Sequence, residues 1–185
     1  MRQVLALLPV LLLLSSFAQA GIFEISATGN YRKTYYDSTH STAMESGTFG
    51  LAYYFWELSA LELSFTRGDA NQVAPEYTAY QTFTAYGVDF LVTMANRESV
   101  IKPYLKAGAS YIVKSLRYFD PVLGGTSSVN SQGIAPTAGI GFKIMIGQQF
   151  AIKTGVDVSS SPLPGDDRNP VTYDFSANAG VSFLF

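Results

Sequence analysis

Asp174-Phe175-Ser176-Ala177-Asn178-Ala179-Gly180-Val181-Ser182-Phe183-Leu184-Phe185 alternates with a period of two. Phe175, Ala177, Ala179, Val181, Phe183 and Phe185 fall on one side, and Asp174, Ser176, Asn178, Gly180 and Ser182 on the other, with Leu184 out of step. Successive side chains of an extended chain point to opposite faces, so this stretch is a strand with one apolar and one polar face.

Followed back toward the N-terminus, the alternation recurs. Phe23, Ile25, Ala27, Gly29 and Tyr31 oppose Glu24, Ser26, Thr28, Asn30 and Arg32. Between these two strands lie six more apolar rows: Phe49 to Phe55, Leu61 to Phe65, Tyr86 to Val92, Ile101 to Val113, Ile134 to Ile146 and Phe150 to Val158. Phe83, Leu91 and Met145 interrupt the polar side. The links alternate in length. Short ones fall at Trp56-Glu57, Asn96 to Ser99 and Gly147-Gln148-Gln149, and long polar ones at Asp37 to Ala43, Asp69 to Thr78, Phe119 to Ser131 and Ser159 to Pro170. Outer-membrane barrels have short periplasmic turns and longer outside loops. The sequence therefore predicts an all-β fold, a closed antiparallel up-and-down transmembrane β-barrel of about eight strands.

Before the first strand, Arg2 precedes an apolar run from Val4 to Leu14 that ends in Ala18-Gln19-Ala20. This is the pattern of a cleaved signal peptide over residues 1–20, and the run is shorter than the roughly 20 residues of a spanning helix. No cysteine follows it to carry a lipid anchor. Residues 21–185 then form one barrel domain in the outer membrane of a Gram-negative-type bacterium. The chain has no cysteine, which excludes disulfides, thiolate metal sites and a thiol nucleophile. Charged residues make up 14%, against about 25% in soluble domains. A net charge of −2 gives no basic patch for nucleic acid.

Alternation does not say which face is outside, because a soluble barrel alternates too. The polar face is rich in Gly, Ser, Thr and Ala, which suits a crowded bore, whereas a solvated face carries many Lys and Glu. Aromatic residues also gather near strand ends, as membrane girdles do. Tyr31, Tyr35, Tyr80, Tyr111 and Tyr173 lie toward the loops, and Phe23, Phe55, Phe90, Phe150 and Phe183 toward the turns. The apolar rows are thus expected to face lipid, and the sheet must close because lipid satisfies no edge N–H or C=O.

The C-terminal Asn178-Ala179-Gly180-Val181-Ser182-Phe183-Leu184-Phe185 resembles the assembly signal of outer-membrane barrels, with Asn178, Gly180, Phe183 and Phe185 at its characteristic positions. Lys102-Pro103-Tyr104-Leu105-Lys106-Ala107-Gly108-Ala109-Ser110-Tyr111 is similar to a strand signature of the OmpA/OmpX-like β-barrel family. The resemblance implies an eight-stranded outer-membrane barrel that is recognised by the barrel-assembly machinery.

Eight strands leave a bore that side chains can fill, so general diffusion is not expected. Glu24, Glu62 and Asp89 point inward near the turn end of the first, third and fourth strands. Lys102, Lys106, Lys143 and Lys153 do so on the fifth, sixth and seventh. Their placement predicts an ion-pair layer that occludes the lumen, the alternative being charges hydrated by lumen water. Arg32, Asp157 and Asp174 lie higher and are read as a second, looser cluster.

An enzymatic role needs a general base beside a nucleophile or carboxylate. The single histidine, His40, sits among Ser38, Thr39, Ser41 and Thr42 in the first loop and reads as a polar tip. No catalytic residue, cofactor or metal site is expected, Asp166 with Asp167 being at most a weak attractor of a divalent cation. The segments Asp69 to Gln72, Gly124 to Ser128 and Gly165 to Asn169 are polar, and loops on rigid scaffolds commonly carry binding. They suggest an extracellular ligand, against the plainer reading of solvated caps. The expected role is structural, in envelope integrity or surface interaction. A narrow channel for small or apolar solutes and, more remotely, a lipid-modifying enzyme are the alternatives.

Overall fold

A computed structural model describes residues 22–35, 41–73, 78–96, 98–120, 125–161 and 172–185. The expected signal peptide, His40 and the segment Gly165 to Asn169 lie outside the described residues.

The eight strands are β1 (Ile22–Tyr35), β2 (Ser41–Trp56), β3 (Ser59–Val73), β4 (Thr78–Thr93), β5 (Ile101–Asp120), β6 (Gly125–Ile146), β7 (Phe150–Ser161) and β8 (Thr172–Leu184). Each pairs antiparallel with its neighbours in sequence, and β1 pairs with β8 to close the ring. Backbone bonds in both directions between Phe23 and Phe185 extend that seam to the C-terminus.

The alternation sorts as its pattern requires, but with the sense of a membrane protein. Phe49, Leu63, Ile134, Ile140 and Phe175 are exposed on the outer surface, while Glu24, Glu62, Asp89, Lys143 and Lys153 are among the most buried residues. Water would penalise this arrangement at every apolar row. Hydrocarbon reverses the sign of that penalty. At the turn end the outward rings interlock in two girdle segments, Tyr53–Phe23–Phe185–Phe183–Phe150 and Trp56–Phe55–Phe90.

The three short turns fall close to where the sequence places them, at 57–58, within 94–100 and at 147–149, and Gly147 takes the left-handed conformation (φ 79°) that its hairpin needs. The long links are corrected. Asp69 to Gln72 belongs to β3, β5 runs on through Phe119 and Asp120, β6 begins at Gly125, and β7 continues to Ser161. Phe119 pairs with Thr126 and Asn71 with Tyr80, so these stretches are ladder, not loop. Crossing a bilayer takes about 9–11 residues of strand, and these strands are 12 to 22 long. Their loop ends project beyond hydrocarbon, where both faces meet water. The hydrophobic alternation fades there although the hydrogen bonding continues.

Candidate functional site

The turn-end half of the bore holds the charged side chains, and strand register explains how. Glu62 is the direct cross-strand partner of Asp89, and Lys143 is the partner of both Lys102 and Lys153. Like charges are therefore neighbours along the wall, an unfavourable arrangement on its own. Relief comes across the bore. Lys143 Nζ meets Glu24 Oε2 at 2.6 Å and Lys153 Nζ meets Glu62 Oε2 at 2.6 Å, joining β6 to β1 and β7 to β3. All four side chains are almost wholly withdrawn from solvent. Pairing is what makes such burial tolerable, since a lone charge there costs about 3–5 kcal/mol.

Two tyrosines complete the layer. Tyr54 Oη donates to Glu24 Oε2 at 2.7 Å and also receives a hydrogen bond from Lys143. Tyr104 lies under both ammonium groups, its ring centroid 5.7 Å from Lys143 Nζ and 5.4 Å from Lys153 Nζ. Burial strengthens such cation–π contacts. Tyr104 fits because its cross-strand neighbours Gly141 and then Gly155 lack side chains. A Cβ at Gly141 would lie 2.5 Å from the Tyr104 ring. Gly141→Val is accordingly expected to destabilise the barrel by about 1–3 kcal/mol through overpacking. Urea unfolding in lipid vesicles checks this, and in Tyr104→Ala the part due to the ring should disappear while the part due to the Thr154 backbone oxygen, which the new Cβ also meets, remains. Leu91, fully buried, packs with Tyr104, Ala52 and Ala60.

The other expected members are distributed differently. Lys106 pairs at 3.0 Å with Asp157, which also accepts from Asn178 Nδ2 at 2.9 Å. Asp157 therefore ties the expected upper group to Lys106, and it lines one cavity with Asp174. Gly139, directly between Lys106 and Asp157 in register, leaves the room for both side chains. Asp89, 3% exposed, accepts from the Thr137 hydroxyl at 2.6 Å. Its partner is thus neutral, where a cation was expected. Lys102 is half-buried at the turn-end mouth, one register step below Tyr104. Asp174 approaches Lys114 at 3.9 Å, and the side chain of Arg32 lies outside the described residues.

Of the C-terminal residues, Asn178 points inward to Asp157, Gly180 permits close approach of β8 to Thr28 of β1, and Phe183 and Phe185 join the outer girdle. Sequence reasoning missed Tyr54, Tyr104 and Lys114. Their inward parity was the available signal, since each sits on the polar row of its strand. Among the described residues no group of three or more His, Cys, Asp or Glu converges as a metal site.

The sequence model of the family described as outer membrane protein beta-barrel domain matches residues 5–183. No protein of curated function matched the sequence. Solved structures share the fold. The N-terminal β-barrel domain of Pseudomonas aeruginosa OprF is 20% identical over 89% of this chain and 99% of its own, with a TM-score of 0.54. Neisserial surface protein A is 18% identical over 89% and 97%, with a TM-score of 0.62. Ail, the attachment invasion locus protein of Yersinia pestis, in complex with the heparin analogue sucrose octasulfate, is 15% identical over 89% and 99%, with a TM-score of 0.58.

Proposed function

We propose a closed, non-enzymatic role for this chain, which belongs to the outer membrane protein β-barrel domain family and resides in the bacterial outer membrane. Residues 1–20 serve as a cleaved signal peptide, and the C-terminal residues Asn178, Gly180, Phe183 and Phe185 direct the chain to the barrel-assembly machinery. The mature barrel then acts in envelope integrity or at the cell surface, with its loop end outward and outer-membrane lipid around it.

The observation that carries the closed reading is the layer Glu24–Lys143 and Glu62–Lys153, two short ion pairs thrown across the bore with Tyr104 against both ammonium groups and Leu91 packed on Tyr104. A hydrated ion passing there must displace paired charges from each other in a poorly solvated place. Planar-bilayer recording tests it. The wild type is expected to show little steady conductance, and Glu62→Ala, which releases Lys153, is expected to raise open probability severalfold. A wild-type pore already open and unaltered by Glu62→Ala overturns the plug and favours the narrow channel. The outward surface role is supported by strands that carry polar residues well past the bilayer, on β5 and β6 above all. One of the fold relatives, Ail, was solved with a heparin analogue bound.

A further inference from the structure

Above the ion-pair layer the bore widens toward the loop end into a cavity of about 330 Å³, the lower end of the range for small-molecule sites. One wall is apolar, with Ala85 and Ile112 as register partners and Phe83 above them. Among the described residues its charged lining is Asp89, Asp157 and Asp174 with Lys106 and Lys114.

Asp89 is the acid that stands apart. Lys106 is engaged with Asp157 and Lys114 with Asp174. Asp89, 3% exposed, has the Thr137 hydroxyl on Oδ1 and, among the described residues, no cation within ion-pair distance. Asp157 Oδ1, on the same lining, is a buried acceptor with no donor among the described residues. A buried carboxylate is strongly stabilised by a counter-charge that a hydroxyl does not supply.

We infer that this cavity binds a small organic ammonium ion, which enters from the loop end with its head on Asp89 and its apolar stem along Ala85 and Ile112. The ammonium gives Asp89 a counter-charge at contact distance, and its stem covers the wall that water solvates poorly. A free metal cation lacks the stem, and a fatty anion carries the wrong sign for the floor. The site lies above the Glu24–Lys143 and Glu62–Lys153 layer, so it stands whether or not that layer conducts.

The test uses the full-length barrel in lipid nanodiscs with isotope-labelled isoleucine methyl groups, titrated with n-hexylammonium, n-hexanol and n-hexanoate. The Ile112 methyl signal is expected to shift saturably with hexylammonium, about tenfold more weakly with hexanol, and not with hexanoate. Asp89→Asn is expected to lower hexylammonium affinity about tenfold while leaving hexanol unchanged. Ala85→Phe, which fills the cavity and keeps the acid, is expected to abolish both. Heat-modifiable migration on gels identifies folded variants. Equal binding of hexanol and hexylammonium, undiminished binding by either folded variant, or no saturable shift in the wild type overturns the inference.

Discussion

Lys143→Ala is expected to destabilise the folded barrel by about 3–5 kcal/mol, read as a drop in the urea midpoint of unfolding in vesicles. The substitution leaves Glu24, 1% exposed, without its ammonium. Tyr54 Oη remains as a single neutral donor on Oε2, and Oε1 has no partner to begin with. The cost arises from the stranded charge more than from the lost attraction, so the paired change Glu24→Gln with Lys143→Met should recover most of it. A double-mutant cycle measures the difference. Equal losses in the single and double variants would show that the two side chains do not act as a pair.

Leu63→Arg is expected to cost about 2–4 kcal/mol in the same assay, the depth-dependent price of a cation on the lipid face of a barrel strand. Leu63 is 51% exposed on β3, between the Phe55–Phe90 rings toward the turns and the Tyr86 ring toward the loops. Asn130→Arg is the matched control. Asn130 shares the outward parity of Ile134 and is exposed, but it lies on the loop-end half of β6, beyond the apolar row. There the change should remain within about 0.5 kcal/mol. If both positions respond alike, the apolar belt is not solvated by hydrocarbon.

Strand number, closure and facing were legible because each follows from parity. Once Phe175 to Phe185 is extended, every odd residue of β8 shares a face, and the short turns set the hairpins. Strand ends were not legible. Asp69 to Gln72 and Phe119 to Ser131 lose the apolar row on leaving the membrane, and polar composition alone reads as loop. The same limit applies inside the bore. Parity placed Glu24, Glu62, Lys143 and Lys153 inward at similar height. The stagger between strands, which sets who meets whom, is a property of the closed ring. Hence Asp157 and Lys106 were assigned to different clusters, whereas the stagger brings the two together. Tyr104 was visible as part of a strand motif, but its place between two ammonium groups depends on Gly141 and Gly155 of other strands.

The segregation of sign along the wall bears on how the chain tells itself from its neighbours while it is being made. The first four strands offer a concave surface carrying Glu24, Glu62 and Asp89, and the sixth and seventh one carrying Lys143 and Lys153. Two identical half-formed sheets that meet face to face repel, whereas unlike halves attract, and only unlike halves bring these carboxylates and ammonium groups together. Ring closure thereby selects against rings assembled from like pieces of several chains.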